Sequence, residues 1–165
     1  MKIRPAQRQE VGIVLQLIHD LAVYEKAPNE VEATEKELLE TIFTSDPKVF
    51  CDLVEVDGEI AGMAIWFLNY STWQGKHGIY LEDLFIKPEY RGRGYGKALL
   101  KHLAKICDDK GYGRFQCCWV RECHHSQWRA YRVQDRFCEL SVISGCVHIF
   151  GHWLQQHDCG EQRIL

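Results

Sequence analysis

The hexapeptide Arg91-Gly92-Arg93-Gly94-Tyr95-Gly96 stands between a strand-like run, Tyr80 to Ile86, and a long amphipathic pattern, Lys97 to Lys110. A glycine-rich turn between a strand and a helix bares backbone N–H groups at the helix N-terminus. Those amides point at an anion, and the helix dipole favours negative charge there. The glycines let backbone approach a ligand closely and adopt conformations closed to other residues. Two arginines in the turn strengthen the reading as a phosphate cradle. A P-loop would need Gly-Lys-Ser/Thr after four spacers, and none is present. A dinucleotide fingerprint belongs in the first βα unit, with an acidic residue ~20 positions on. Here the glycines alternate and lie past mid-chain.

Outward from the turn, the chain reads as alternating elements. Lys2-Ile3-Arg4 is a short strand ended by Pro5. Gln9 to Leu21 carries Val11, Val14, Leu15, Ile18 and Leu21 at helical spacing. Thr34-Glu-Lys-Glu37 is a capping box before Leu38, Leu39, Ile42 and Phe43. Phe50 to Val56 and Glu59 to Leu68 flank Asp57-Gly58, a preferred two-residue hairpin turn. Tyr80 to Ile86 is the next strand, stopped by Pro88. Leu99, Leu100, Leu103, Ile106 and Cys107 share one helix face, Gly111 ends that helix, and Phe115 starts another strand.

Bulk properties fit one small enzyme domain. At 165 residues the chain is long enough for a real core. A net charge of -3 gives no support for nucleic-acid binding. No apolar run reaches membrane-spanning length and no signal-like pattern opens the chain, so the expectation is a cytoplasmic protein without a membrane partner.

The turn, its flanks and the element order β-α-α-β-β-β-α-β resemble the GNAT acetyltransferase superfamily. The Leu-Glu-Asp-Leu-Phe-Ile run and Leu-Ala-Val-Tyr-Glu-Lys near the start are similar to its diamine (spermidine/spermine) acetyltransferase branch. The resemblance implies an α/β fold, a GNAT-like mixed sheet with flanking helices, over residues 1–116. It implies acetyl-CoA as cosubstrate, with Arg91, Gly92, Arg93, Gly94, Tyr95, Gly96 and Lys97 around the pyrophosphate. It implies that backbone at Leu84, Phe85 and Ile86 pairs with the pantetheine arm; the same side chains also suit a core. Tyr24, Glu25 and Trp73 match positions lining the amine channel. An aromatic face and a carboxylate suit an ammonium. Where polyamine-acetylating members have an acidic residue two positions before that Trp, this chain has Ser71. A smaller, lysine-like amine is therefore open beside diamines and polyamines. The branch also implies a homodimer.

Amine acetylation needs a neutral amine, although its reference pKa is ~10.4, a donor for the oxyanion and a proton for the leaving thiolate. Glu82 and Asp83 border the cleft. Adjacent strand residues point to opposite faces, so one of the pair is expected to face the acetyl group. The resemblance favours Glu82 as base through water and Asp83 as a cation contact. The implied acid is a tyrosine on the helix after the fifth strand, and Tyr131 falls near that distance.

From Cys117 the character changes. The segment 117–165 has no lysine and no proline, yet holds Cys117, Cys118, Cys123, Cys138, Cys146 and Cys159 of the eight cysteines. The superfamily's usual closing motifs are absent from it. Such text is typical of a shifted reading frame, so 117–165 is read as a divergent, atypical or incomplete segment. Coding DNA lacking a Phe-Tyr helix and Leu-Gly-Ala in both other frames would refute the shift. Two other readings stand beside the acetyltransferase. One is a catalytically impaired coenzyme A binder with a defective last third. The other is a metal or redox module on the Cys/His tail, although no Cys-x-x-Cys knuckle supports zinc, and no metal is expected.

Overall fold

The structure, a computed structural model, describes residues 1–117 with their side chains and, as backbone strands, 131–132, 139–143 and 146–150. β1 (Lys2–Pro5), α1 (Val11–Tyr24), α2 (Glu35–Thr41), β2 (Val49–Val56), β3 (Glu59–Ser71), β4 (Lys76–Ile86), α3 (Tyr95–Asp109) and β5 (Arg114–Cys117) follow the anticipated order. Each boundary has a local cause. Thr34 Oγ1 accepts from Glu37 N at 3.3 Å while Glu37 Oε2 accepts from Thr34 N at 2.8 Å, closing the capping box on α2. Asp57 and Gly58 both take positive φ, 54° and 89°, as the tight β2–β3 hairpin demands. Gly111, at φ 65°, terminates α3.

The main sheet runs β1-β2-β3-β4-β5 and then β6 (Tyr131–Arg132), antiparallel except for the parallel pair β4/β5. Two cores sandwich it. Val14 and Leu17 of α1 pack on Cys51, Leu53, Met63, Ile65 and Phe85. Leu99, Leu100, Leu103 and Cys107 of α3 pack on Val54, Ala64, Trp66, Ile79, Leu81, Ile86 and Phe115 from the other side. This is the α/β mixed sheet with flanking helices anticipated above. The α3 core holds one buried carboxylate, Asp52. Its Oδ2 accepts from Trp66 Nε1 at 2.7 Å, and its Oδ1 lies 3.5 Å from His102 Nε2 of α3.

One feature of the last third differs from the sequence reading. β5 pairs with β6, which sets Tyr131 opposite Phe115 in an extended strand rather than on a helix. β7 (Glu139–Ile143) pairs antiparallel with β8 (Cys146–Phe150) in a separate sheet. The Tyr131 side chain, the frame-shift reading and, apart from Cys117, the zinc reading of Cys117, Cys118, Cys123, His124, His125 and Cys138 lie outside the described residues.

Gly62 shows how closely β3 and β4 approach. A Cβ there would fall against Phe85 O and Ile86 Cδ1, and 3.0 Å from Ile86 Cα. Backbone cannot swing aside without opening the ladder. Gly62→Ala is expected to lower stability by about 2–4 kcal/mol, as overpacking in a strand pair does. A urea midpoint equal to wild type would contradict it.

Candidate active site

Among the described residues, β4 and β5 pair through Ile79–Leu81 against Phe115–Cys117. Beyond Leu81, β4 keeps its β3 partners, Asp83 with Ile65 through Ile86 with Gly62, and no described residue pairs with its other edge at 82–86. That edge, with the glycine turn at its end, is the candidate cleft. Lys87 N donates to Ala61 O at 2.9 Å, so odd positions there turn their backbone groups to β3. Leu84 and Ile86 turn theirs into the cleft. Of the three strand residues anticipated for the pantetheine arm, these two offer backbone groups, while Phe85 offers its side chain to the α1 core.

A bulge determines where the carboxylates point. The β3/β4 register shifts between Ile65 and Trp66, which pair with Asp83 and Leu81, so Glu82 is the extra residue. The packing records the shift: Ile79, Leu81, Leu84 and Ile86 all meet the α3 core, so the alternation advances by one at Glu82. Before the bulge even positions face α1; after it odd positions do. Glu82 and Asp83 thus share the α1 face. This corrects the expectation of opposite faces, because that expectation assumed an unbroken pleat. Burial first, then the charges of Glu82 and Glu25, push the Asp83 carboxyl up to about 6. Three acids therefore crowd one spot: two from the bulge, one from the residue after α1. Cys51 also lies in the α1 core, and burial holds it as a thiol.

The glycine turn ends the cleft. Gly94 caps α3 at φ 83°, and no side chain satisfies the cap. Ala98 N donates to Gly94 O at 3.0 Å, the first bond of the helix, so the N–H groups of Tyr95, Gly96 and Lys97 precede the ladder. Gly92 and Gly94 take positive φ, and a Cβ on either would meet nothing within 4 Å. Amides ahead of the ladder at an uncapped helix N-terminus suit a pyrophosphate. Gly96 differs: its Cβ would touch Leu84 Cδ2 at 3.5 Å, so its smallness serves close packing of α3 on β4. Arg93 and Lys97 are exposed beside the turn, with Arg93 Cζ 5.9 Å from the Tyr90 ring. Arg91 turns back instead, its Nε donating to Ile86 O at 2.8 Å and its guanidinium lying 4.1 Å over the Tyr24 ring.

Tyr24 and Glu25 reach this site; Trp73 does not. Trp73 lies in the β3–β4 turn, 98% exposed. Strand β4 separates it from Asp83 by roughly 23 Å at ~3.3 Å per residue. The cause is the length of β3 and β4, which pair out to Ser71 and Lys76 and carry the tip away from the cleft.

The Acetyltransferase (GNAT) family matches residues 15–135. The chain belongs to the GNAT acetyltransferase family. The family match runs past Gln116, where the motif resemblance ends. It is similar to the thialysine N-epsilon-acetyltransferase of Bos taurus, 38% identical over 117 residues covering 66% of this chain and 68% of that one. It is also similar to the human spermidine/spermine N(1)-acetyltransferase-like protein 1, 32% identical over 112 residues, 64% of this chain and 16% of that one. A predicted acetyltransferase from Clostridium acetobutylicum, solved with acetyl-CoA, shares the fold at TM-score 0.61 and 15% identity, over 73% of this chain and 81% of that one. This GNAT member is thus an acyltransferase of the N-acetyltransferase class. Among the described residues no group of His, Cys, Asp or Glu is gathered as for a metal, and no helix is long and apolar enough to cross a membrane.

Proposed function

We propose that this chain transfers the acetyl group of acetyl-CoA to the side-chain amine of a small lysine-like amino acid, with thialysine as its nearest test substrate. The observation that carries the reading is the bulge, which sets Glu82 and Asp83 side by side on the α1 face, next to the edge of β4 that no described residue pairs with. Acetyl-CoA supplies the acetyl group as a thioester. The amides of Tyr95, Gly96 and Lys97, with Arg93 and Lys97, hold its pyrophosphate over Gly92 and Gly94. Leu84 through its backbone groups and Ile86 through its N–H pair with the pantetheine arm, and a cleft-facing N–H there steadies the developing oxyanion. Asp83 and Glu25 draw in the ammonium. Glu82 takes its proton through water, and the raised Asp83 carboxyl keeps a second acceptor near neutral pH. Tyr131 is the candidate donor to the leaving thiolate.

The substrate size rests on Ser71. Where a longer polyamine would call for an acid, Ser71 is 8% exposed and its Oγ accepts from Gln74 N at 3.3 Å, closing the turn. The reading places the enzyme in the cytoplasm as a homodimer, with residues 1–116 carrying the transferase site and 117–165 as its divergent extension. Trp73 then meets the amine from a second copy, and its exposure beside Tyr70, 53% exposed, supports a covered tip. With acetyl-CoA and thialysine or spermidine as acceptors, thialysine is expected to give at least tenfold higher kcat/KM. Equal or reversed preference would overturn the substrate assignment, and no transfer to either would leave a coenzyme A binder without turnover.

A further inference from the structure

We propose that Arg91 is a positioning residue that couples the coenzyme turn to the end of α1, holding Glu25 opposite Asp83 for the amine. The inference rests on the acetyltransferase reading and adds a link between its two halves. Arg91 begins the glycine turn, yet its side chain leaves the anion space. Its Nε donates to Ile86 O at 2.8 Å, its guanidinium lies 4.1 Å from the Tyr24 ring centroid, and the Phe85 ring is 5.5 Å away. One flat cation thus touches the exit of β4 and the last residue of α1 while its own backbone belongs to the turn.

Tyr24 is the place where such a contact transmits. It ends α1, and Glu25 follows as the cap residue, with its N–H bonded to Leu21 O at 2.9 Å. Lys26 then takes φ 64°, a left-handed position for a side-chain-bearing residue, and reverses the chain. Glu25 therefore has little freedom apart from Tyr24. A cation at a helix C-terminus is favoured by the dipole, and a guanidinium stacks on an aromatic face while donating in its own plane. Lysine has neither the plane nor the lateral N–H. Phosphates that fix the turn fix Arg91, and Arg91 fixes Tyr24 and Glu25. The coupling runs in both directions: a bound amine tightens coenzyme A by the same factor.

The test is a double-substitution cycle with acetyl-CoA and thialysine, on wild type, Tyr24→Leu, Arg91→Lys and the pair. Both side chains are exposed, and melting curves check each fold. Each single change is expected to raise the thialysine KM about fivefold, the upper range of one stacked cation at an exposed site, with kcat within about twofold. The double variant is expected to be no worse than the worse single one, because both remove one contact. Tyr24→Phe, which keeps the ring, recovers most of the KM lost in Tyr24→Leu. Multiplying KM effects, or a fall in kcat at constant KM, would overturn the coupling while leaving the acetyltransferase reading intact. A wild-type chain that acetylates nothing would sink that reading and this inference with it.

Discussion

Replacing Glu82 by Gln is expected to lower kcat/KM by roughly two to four decades, the range general-base catalysis supplies, and to make the enzyme slightly more stable at pH 7.5. The two effects share a cause. Asp83 has a folded pKa near 6, above its ordinary value of 3.8, because it is half-buried and faces Glu82 and Glu25. The folded state therefore binds the Asp83 proton more tightly than the unfolded chain does. Stability then falls as pH rises from about 4 to about 6, and the full cost is present above that window. Removing the Glu82 charge relieves part of it. Asp83→Asn relieves all of it and is expected to raise stability at pH 7.5 by about 1–3 kcal/mol, from a shift of roughly two pKa units. At pH 4 that gain is expected to vanish. Activity and stability thus move in opposite directions, as at a site whose acids are crowded for a purpose. Urea denaturation at pH 4 and pH 7.5, beside kcat/KM across the same range, reads both. Loss of stability in Asp83→Asn at pH 7.5, or a Glu82→Gln pH–rate profile like wild type, would remove the pair from these roles.

The sheet was legible where local chemistry fixes the chain. Asp57-Gly58 could close a hairpin and does; Thr34 with Glu37 could cap a helix and does. The glycine turn before α3 was legible for the same reason, since its φ values are a local demand. The carboxylate geometry was not, because a rule for regular strands was applied where the strand is irregular. A signal was present: the α3-facing set Ile79, Leu81, Leu84 and Ile86 breaks its two-residue step between Leu81 and Leu84, which marks an inserted residue. Arg91 could not be placed from sequence, since its partner Tyr24 lies on another element and meets it only through the fold. Trp73 was assigned by resemblance alone. The chain sets it at the far end of β4, because β3 and β4 pair out to Ser71 and Lys76, which no local residue spacing records.

Gly94→Val is expected to weaken coenzyme A about 10- to 100-fold, and a matched glycine separates that loss from strain. Valine at φ 83° is a genuine outlier, and left-handed backbone costs roughly 1–2 kcal/mol for a side-chain-bearing residue. Its Cβ would stand in open space, with nothing within 4 Å, at the turn proposed to hold the pyrophosphate. Gly111 closes the other end of α3 at φ 65°, and a Cβ there also meets nothing within 4 Å. Gly111→Val therefore carries similar strain on the same helix with no anion nearby. Both variants are expected to lose comparable stability in urea, but only Gly94→Val loses coenzyme A affinity by calorimetry. Raising salt should narrow the gap in affinity between wild type and Gly94→Val, since part of the lost attraction is between phosphate and the positive end of α3. Equal coenzyme A dissociation constants in the two variants would show that the turn matters only as backbone, and the phosphate cradle would have to be sought elsewhere along the cleft.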